Sequence, residues 1–325
     1  MSKIPTVFVT GGAGFIGSHC CKMLAAAGFC PAVYDNLSTG HREYVKWGDL
    51  HEGDLSDQER LIKAISATDP VAVIHFAASA YVGESVRDPA KYYRNNVVGM
   101  ESLLSACRAQ GVANIIFSSS CATYGNPSTD LINEQTEQKP INPYGRTKLI
   151  GEHMLEDFSE AYGSKFAILR YFNACGADPD GEIGEWHSPE THLIPRVLMA
   201  ANGVIPEVEI YGTDFPTPDG TCIRDYIHVV DLAVAHVRAL QYLLGGGADL
   251  KVNLGTGHGH SIREIVSAVE RITQSRVPVA FKPRRAGDPA HLVADTGLAR
   301  TLLGVTLRHS NIETIIRTAE PFFRN

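Results

Sequence analysis

The sequence predicts an α/β fold: a doubly wound parallel sheet with a smaller C-terminal α/β domain. Three observations carry this. Short apolar segments alternate with segments of helical length through the first half of the chain. One of them, VAVIHFAAS (71–79), is apolar without interruption, as expected of a strand buried on both faces. A glycine-rich turn separates the first apolar segment from the first helical one, the position where such sheets receive an anion.

The elements follow in order. TVFVT (6–10) reads as a strand, followed by the turn and a Cys/Met/Leu/Ala helix ending at Gly28. PAVYD (31–35) is the second strand, and a helix over Gln58–Thr68 leads into 71–79. A long helix follows Pro89 and ends near Gly111. ANIIFSSS (113–120), a helix opening at Asn142-Pro143, and FAILRYF (166–172) complete the alternation. Beyond residue 175 the pattern loosens. THLIPRVLMAANG reads as a helix, EVEIYG as a strand and DLAVAHVRALQYLL as a helix, and Ser261-Ile-Arg-Glu264 has capping-box spacing. This divides the chain at 1–174 and 175–325, with segments near 224–260 open to returning to the first domain.

Composition narrows the function class. The chain has 325 residues, 44% hydrophobic and 20% charged, with a net charge of −7, as in an ordinary globular protein without a nucleic-acid surface. No apolar run reaches membrane-spanning length, and the N-terminus enters a strand at once, so no membrane partner or secretion signal is expected. Seven cysteines form no C-x-x-C pair, which suits reduced thiols and a cytoplasmic setting.

The turn reads Thr10-Gly11-Gly12-Ala13-Gly14-Phe15-Ile16-Gly17. Gly11 and Gly14 let the backbone approach a pyrophosphate, and Gly17 lets the helix pack on the sheet. A glycine turn without a ligand is the bland alternative. Asp35 argues against it, because it ends the second strand where a carboxylate accepts from a ribose 2′-hydroxyl and repels a 2′-phosphate. NAD is therefore the expected cofactor, although His41 and Arg42 soften that preference. Asp54 is either an adenine-side contact or a helix N-cap.

The chemistry is expected at NPYGRTK (142–148). Asn142-Pro143 starts a helix, so Tyr144 and Lys148 lie one turn apart on one face. Ser118, Ser119 and Ser120 end a strand, where ligands sit in such sheets. Ionising a phenol near pH 7 requires about 4 kcal/mol. An ammonium about 4 Å away at an effective dielectric near 20 supplies about that. At longer range it falls short, and the positive nicotinamide ring must help. A surface i,i+4 pair is the bland alternative, weakened by the nucleotide turn and the strand-end serine. Tyr144 is thus the expected base, Lys148 its charge partner and Ser120 its aligner. Other residues have plainer readings: His228 and Asp231 as core and cap residues, His258-Gly259-His260 as a loop, Cys121 as packing. No metal is expected.

These residues resemble the extended short-chain dehydrogenase/reductase family, with its Rossmann domain, and within it the UDP-glucose 4-epimerases. The likeness runs from TGGAGFIGSH through FSSSCATYG and NPYGRTK to the more specific YFNACGA, DGTCIRDYIHV and PRRAGDPA. The resemblance implies a NAD-dependent isomerase interconverting UDP-glucose and UDP-galactose through a 4-keto sugar, working as a homodimer. It implies that Phe15, Ile16, Asp35, Asn36, Leu37, Ser38, Thr39, Gly40, Asp54, Leu55, Phe76, Ala77, Ala78, Ser79, Ala80, Asn95, Ser118 and Phe172 contact NAD. Asn173, His192, Leu193, Tyr211, Arg224, Arg285 and Asp288 would hold the UDP part, and guanidinium groups suit a diphosphate. Two departures stand out. Ala80 occupies a position where some members carry lysine, and Leu292 gates the sugar pocket and leaves N-acetylated UDP-sugars open. A nucleotide-sugar 4,6-dehydratase is the nearest rival, but it needs an acid–base pair where this chain has Cys121-Ala122. A non-catalytic nucleotide sensor would not need the Tyr/Lys pair.

Overall fold

Residue by residue, the apolar segments become the strands of one large sheet. The computed structural model describes residues 4–285 and 288–324. Ala286 and Gly287 of PRRAGDPA lie outside the described residues. The first half runs β1 (Thr6–Thr10), α1 (Phe15–Ala26), β2 (Cys30–Asp35), β3 (Asp49–Glu52), α2 (Gln58–Thr68), β4 (Ala72–His75), α3 (Val82–Arg87) and α4 (Pro89–Tyr92). A π-helical stretch, Tyr93–Val98, joins α4 to α5 (Gly99–Ala109), so the expected single helix after Pro89 is three consecutive segments. β5 (Asn114–Ser120), α6 (Pro143–Tyr162), β6 (Lys165–Tyr171) and β7 (Asn173–Cys175) follow.

The second half continues with α7 (Leu193–Ala201), β8 (Val208–Tyr211), β9 (Ile223–His228), α8 (Val229–Leu244) and β10 (Leu250–Leu254). It closes with β11 (Gly259–Ser261), α9 (Ile262–Thr273), β12 (Val279–Lys282), β13 (His291–Leu292), α10 (Gly297–Leu303) and α11 (Ile312–Ala319). Ser261 and Glu264 make the expected reciprocal capping box.

Seven parallel strands order as β10-β6-β5-β4-β1-β2-β3, a doubly wound α/β sheet. The order of strand addition reverses between β1 and β4, the switch point outside which such sheets bind ligands. One face is covered by α1 and α8, whose Leu24, Leu232, Ala235 and Leu240 pack with Val7, Val9 and Val252. The other is covered by α2 and α5, whose Leu61, Ile65, Met100 and Leu103 pack with Phe8 and Val73. A four-stranded sheet is centred on β9, flanked by β11 and β13 with β7 also pairing to β9, and β8 pairs with β12 in a two-stranded one.

Two expectations are corrected. The apolar run 71–79 does not stay in the sheet: the strand ends at His75, and Phe76 and Ala77 turn so that both amides donate to the Thr10 carbonyl, at 2.9 and 3.2 Å. Gly11, with φ +71°, comes so close that a Cβ there would lie 2.5 Å from the Ala77 nitrogen. His258-Gly259-His260 is not a plain loop either. Gly259 and His260 pair antiparallel with Asp225 and Arg224, a close approach that only glycine allows, since a side chain would overlap Ile223.

Candidate active site

The nucleotide turn is made from backbone. Gly14 caps α1 without any side-chain hydrogen bond, and no acidic residue occupies the first turn, so amide donors are left for an anion. A Cβ at Gly17 would overlap the Gly11 carbonyl, so the glycine spacing is a packing requirement. Asp35 is buried and its two oxygens accept from Ala13 N at 3.0 Å and Leu37 N at 2.8 Å. Burial raises its carboxyl above the usual range against the pull of these amides. Leu37 takes a left-handed backbone (φ 55°), and the Ser38 amide donates to Asn36. Asn36, Ser38 and Thr39 are exposed, while Gly40 is partly covered and sits against Ala13 and Asp35. This donor set fits a dinucleotide: open amides for phosphate, and a carboxylate with spare lone pairs for ribose hydroxyls.

Asp54 is not the cap of α2. Asp57 is, accepting from Arg60 N at 3.1 Å. Asp54 instead takes hydrogen bonds from the Ser56 amide and hydroxyl and from Asn36 Nδ2, fastening the end of β2 to the loop after β3. Leu55 lies in the core against Gly99. On the β4 side, Phe76 packs on His236, Ala77, Ala78 and Ser79 are partly covered, and Ala80 is exposed. Asn96 holds that loop: it accepts from Ser79 N at 2.8 Å and from Asn95, and donates to the Ser79 carbonyl and to Thr147 on α6. Asn96, the buried anchor, is the neighbour of the partly buried Asn95, for which the resemblance implies a cofactor contact.

The three expected catalytic residues come together. Asn142 caps α6 by accepting from Gly145 N at 2.8 Å, and Pro143 occupies the first turn. This delivers Tyr144 (7% exposed) and Lys148 (3%) to the interior, neither of them to solvent. Ser120, the last residue of β5, hydrogen-bonds the Tyr144 phenol. Lys148 Nζ donates to the Ser118 carbonyl at 2.7 Å and lies 5.9 Å from the centre of the Tyr144 ring. Burial pushes the phenol well above its ordinary value near 10, Tyr171 adds to the rise, and only the Ser120 hydrogen bond pulls it down notably. Burial also lowers Lys148, to about 7, against the opposing pull of Glu152. By itself, then, the chain holds Tyr144 as a phenol. The Lys148 ammonium does not offset the burial that keeps the phenol protonated.

Sequence reading missed the support behind these groups. Tyr171 OH is 2.6 Å from Ser118 Oγ. Glu152, one turn beyond Lys148, forms a buried two-point pair with Arg170, at 3.0 Å from Nε and 2.7 Å from Nη2, and accepts from Ser119. Arg170 also donates to Tyr124, which donates to Asn253. An arginine inside the apolar strand FAILRYF was the available signal. Cys121 is packing, its thiol raised by burial to about 12.

The expected substrate residues divide between the two small sheets. Asn173 on β7 donates to the Asp225 carbonyl at 2.9 Å. Arg224 on β9 pairs with Asp288 at 2.6 Å, and Leu292 stands in register beside it, packed with Phe172 and Tyr124. Arg285 stacks over the Tyr211 ring at 3.9 Å, and that phenol donates to Glu209. Arg224 and Arg285 both lower the Cys222 thiol against its burial, and Arg224 also lowers Cys121, the residue after Ser120. His192 and Leu193 open α7. His228 caps α8 through Val230 N, and Asp231 accepts from Arg308, His309 and Ser310.

Comparison with known proteins adds the family. The model for the NAD dependent epimerase/dehydratase family matches residues 7–255. A UDP-glucose 4-epimerase of Rhizobium meliloti (strain 1021) is 52% identical over 298 residues, 92% of this chain and 91% of the relative. A crystal structure of UDP-glucose 4-epimerase from Brucella ovis in complex with NAD is 63% identical, covers 98% of both chains and superposes with a TM-score of 0.96. Another, from Bifidobacterium longum in complex with NAD+ and UDP, is 37% identical, covers 97% of both and has a TM-score of 0.92.

Proposed function

The chain belongs to the NAD-dependent epimerase/dehydratase family, and from this premise we propose that it is a UDP-glucose 4-epimerase, an isomerase interconverting UDP-glucose and UDP-galactose. The observation that carries the reading is the buried Ser120–Tyr144–Lys148 group at the carboxyl end of β5, separated by one strand from β1, whose carboxyl end leads into the glycine turn. When bound through the turn and Asp35, NAD supplies a reversible hydride acceptor for C4 of the sugar and the positive charge that Lys148 alone does not.

The chain's own residues manage the proton and the orientation. Tyr144 Oη takes the proton from the sugar 4-hydroxyl and later returns it to the same oxygen. Ser120 aligns both oxygens, and Lys148, oriented by Ser118, favours the phenolate. Arg224 and Arg285 grip the diphosphate, with Asn173, Tyr211, His192, Leu193 and Asp288 around the nucleotide, while the hexose turns over and presents its other face. Net redox is zero. In this division residues 1–174, joined by α8 and β10, which return to the large sheet, carry the cofactor, and the rest of 175–325 with Asn173 carries the UDP part.

A 4,6-dehydratase lacks support, because the pair after Ser120 is a thiol raised to about 12 and an alanine, and neither serves as acid or base. A homodimer is supported by apolar side chains left exposed along consecutive helical segments, Val82, Val86, Tyr93 and Val98. The free cysteines suit the cytoplasm. The test incubates the pure protein with UDP-galactose and no added NAD. UDP-glucose should accumulate to equilibrium. An inert protein, with NAD then supplied, would overturn the assignment.

A further inference from the structure

The loop between β7 and α7 carries a repeated spacing, Glu185-x-His187-x-x-Glu190-x-His192, that the reaction above does not use as a unit. Folding draws the four together: one ligand atom from each lies within 4.8 Å of all the others. Nδ1 of His192 is 2.9 Å from both the Glu185 and Glu190 carboxylates, and Nδ1 of His187 is 3.4 Å from both. The two imidazole rings stand 4.8 Å apart. Both carboxylates are almost wholly buried, so two negative charges share a small volume away from water.

We propose that Glu185, His187, Glu190 and His192 form a tetrahedral site for a zinc-class divalent cation. Ligands about 2.0–2.1 Å from zinc stand about 3.3 Å from each other, the edge of the tetrahedron. The four imidazole–carboxylate separations, 2.9 and 3.4 Å, bracket that edge, and all four ligand atoms lie within 4.8 Å of one another, so a cation fits after modest side-chain rearrangement. Two imidazoles and two carboxylates are borderline ligands of the kind zinc takes, and the two carboxylate charges balance the ion. With four protein ligands the site is closed and structural. His192 is exposed enough to admit the ion.

The location gives the site a purpose. Trp186, between two ligands, stacks on His41 with ring centres 3.8 Å apart, which fixes the loop to the segment after Gly40. His187 meets Phe15 of the nucleotide turn edge-on, and Tyr81 lies against both histidines. A cation here ties the head of α7 to the nucleotide turn. The other acidic group, Asp178, Asp180 and Glu182, differs: the Lys22 ammonium already sits 2.7–2.8 Å from all three.

The test uses the full-length, tag-free protein, stripped with a chelator and desalted. Zn2+ is added, excess is removed by gel filtration, and bound metal is measured by mass spectrometry. Co2+ serves as a second probe, read by its visible d–d absorption. One zinc per chain and a tetrahedral cobalt spectrum are expected, with the melting temperature raised by zinc. His187→Asn and Glu190→Gln, near in shape to the native side chains, should each weaken zinc binding at least ~10²-fold, while Asp180→Asn leaves it unchanged. Metal-free melting curves establish that the variants fold. A chain that retains no zinc, because the cluster is only a double imidazolium–carboxylate pair, overturns the proposal. So does zinc binding that the ligand variants leave intact.

Discussion

Lys148→Met separates chemistry from stability at one position. The ammonium lies 5.9 Å from the Tyr144 ring centre. At an effective dielectric near 20 a unit charge there favours the phenolate by about 3 kcal/mol, or ~10²-fold in its population. Methionine keeps the length and removes the charge, so kcat for UDP-galactose should fall ~10²-fold at pH 7 in cofactor-loaded protein. Since the phenol then titrates higher, the variant rate should rise from pH 7 to 9.5, and the native advantage should shrink over the same range as Lys148, which titrates at about 7, loses its charge. Stability should move the other way. Burial puts the folded Lys148 at about 7, below the unfolded value near 10.5, so the unfolded chain binds more protons between these pH values. The cost of burying the amine is absent above pH 10.5 and grows as pH falls, reaching about 4–5 kcal/mol near pH 7. Removing it more than offsets the lost hydrogen bond to Ser118, worth about 1–3 kcal/mol. The variant should therefore melt no lower than the native chain. The assay is a pH series of initial rates, by chromatography of the UDP-sugars, beside thermal melts. A kcat within threefold of native at pH 7, or a variant that melts well below it, would refute the reasoning.

Tyr144→Phe should lose at least ~10²-fold in kcat and retain UDP-sugar binding by calorimetry. Glu152→Gln leaves the Arg170 guanidinium buried without its counter-charge, so stability should fall by about 3–5 kcal/mol in denaturant titration. Burial depresses His75 and His228 to about 3 and His19 and His236 to about 4. Each is below the unfolded value near 6.5, so their neutral forms stabilise the fold above pH 6.5 and that stability drains away as pH falls. All four act in the same direction, so stability falls steadily as pH drops below 6.5. Circular dichroism should show unfolding between pH 6 and 4, and a chain intact at pH 4 would contradict this.

What could be read in the sequence was what depends on neighbours in the chain. Asn142-Pro143 dictates a helix start, and a helix start dictates that Tyr144 and Lys148 share a face. The alternation of strands and helices sets the parallel sheet, and Ser261 with Glu264 closes its own helix end. What stayed hidden depends on chain far away. Arg170 finds Glu152 only when β6 lies beside β5 under α6, and Tyr171 reaches Ser118 through the same pairing. The early end of β4 depends on how closely Gly11 approaches Ala77. Asp57, not Asp54, caps α2 because it directly precedes Gln58, the first helical residue. The Tyr–Lys distance, which decides how much of the charge balance falls to the lysine, is likewise a property of packing and not of spacing.

The central claim is that a hydrogen leaves C4 and returns to it within one closed site, with Tyr144 carrying only the proton. UDP-galactose labelled with deuterium at C4, incubated with the protein in ordinary water, tests this directly by NMR and mass spectrometry of the product. Return of the same hydride within the site gives UDP-glucose with the deuterium still on C4. Product whose label has washed out into solvent would contradict it.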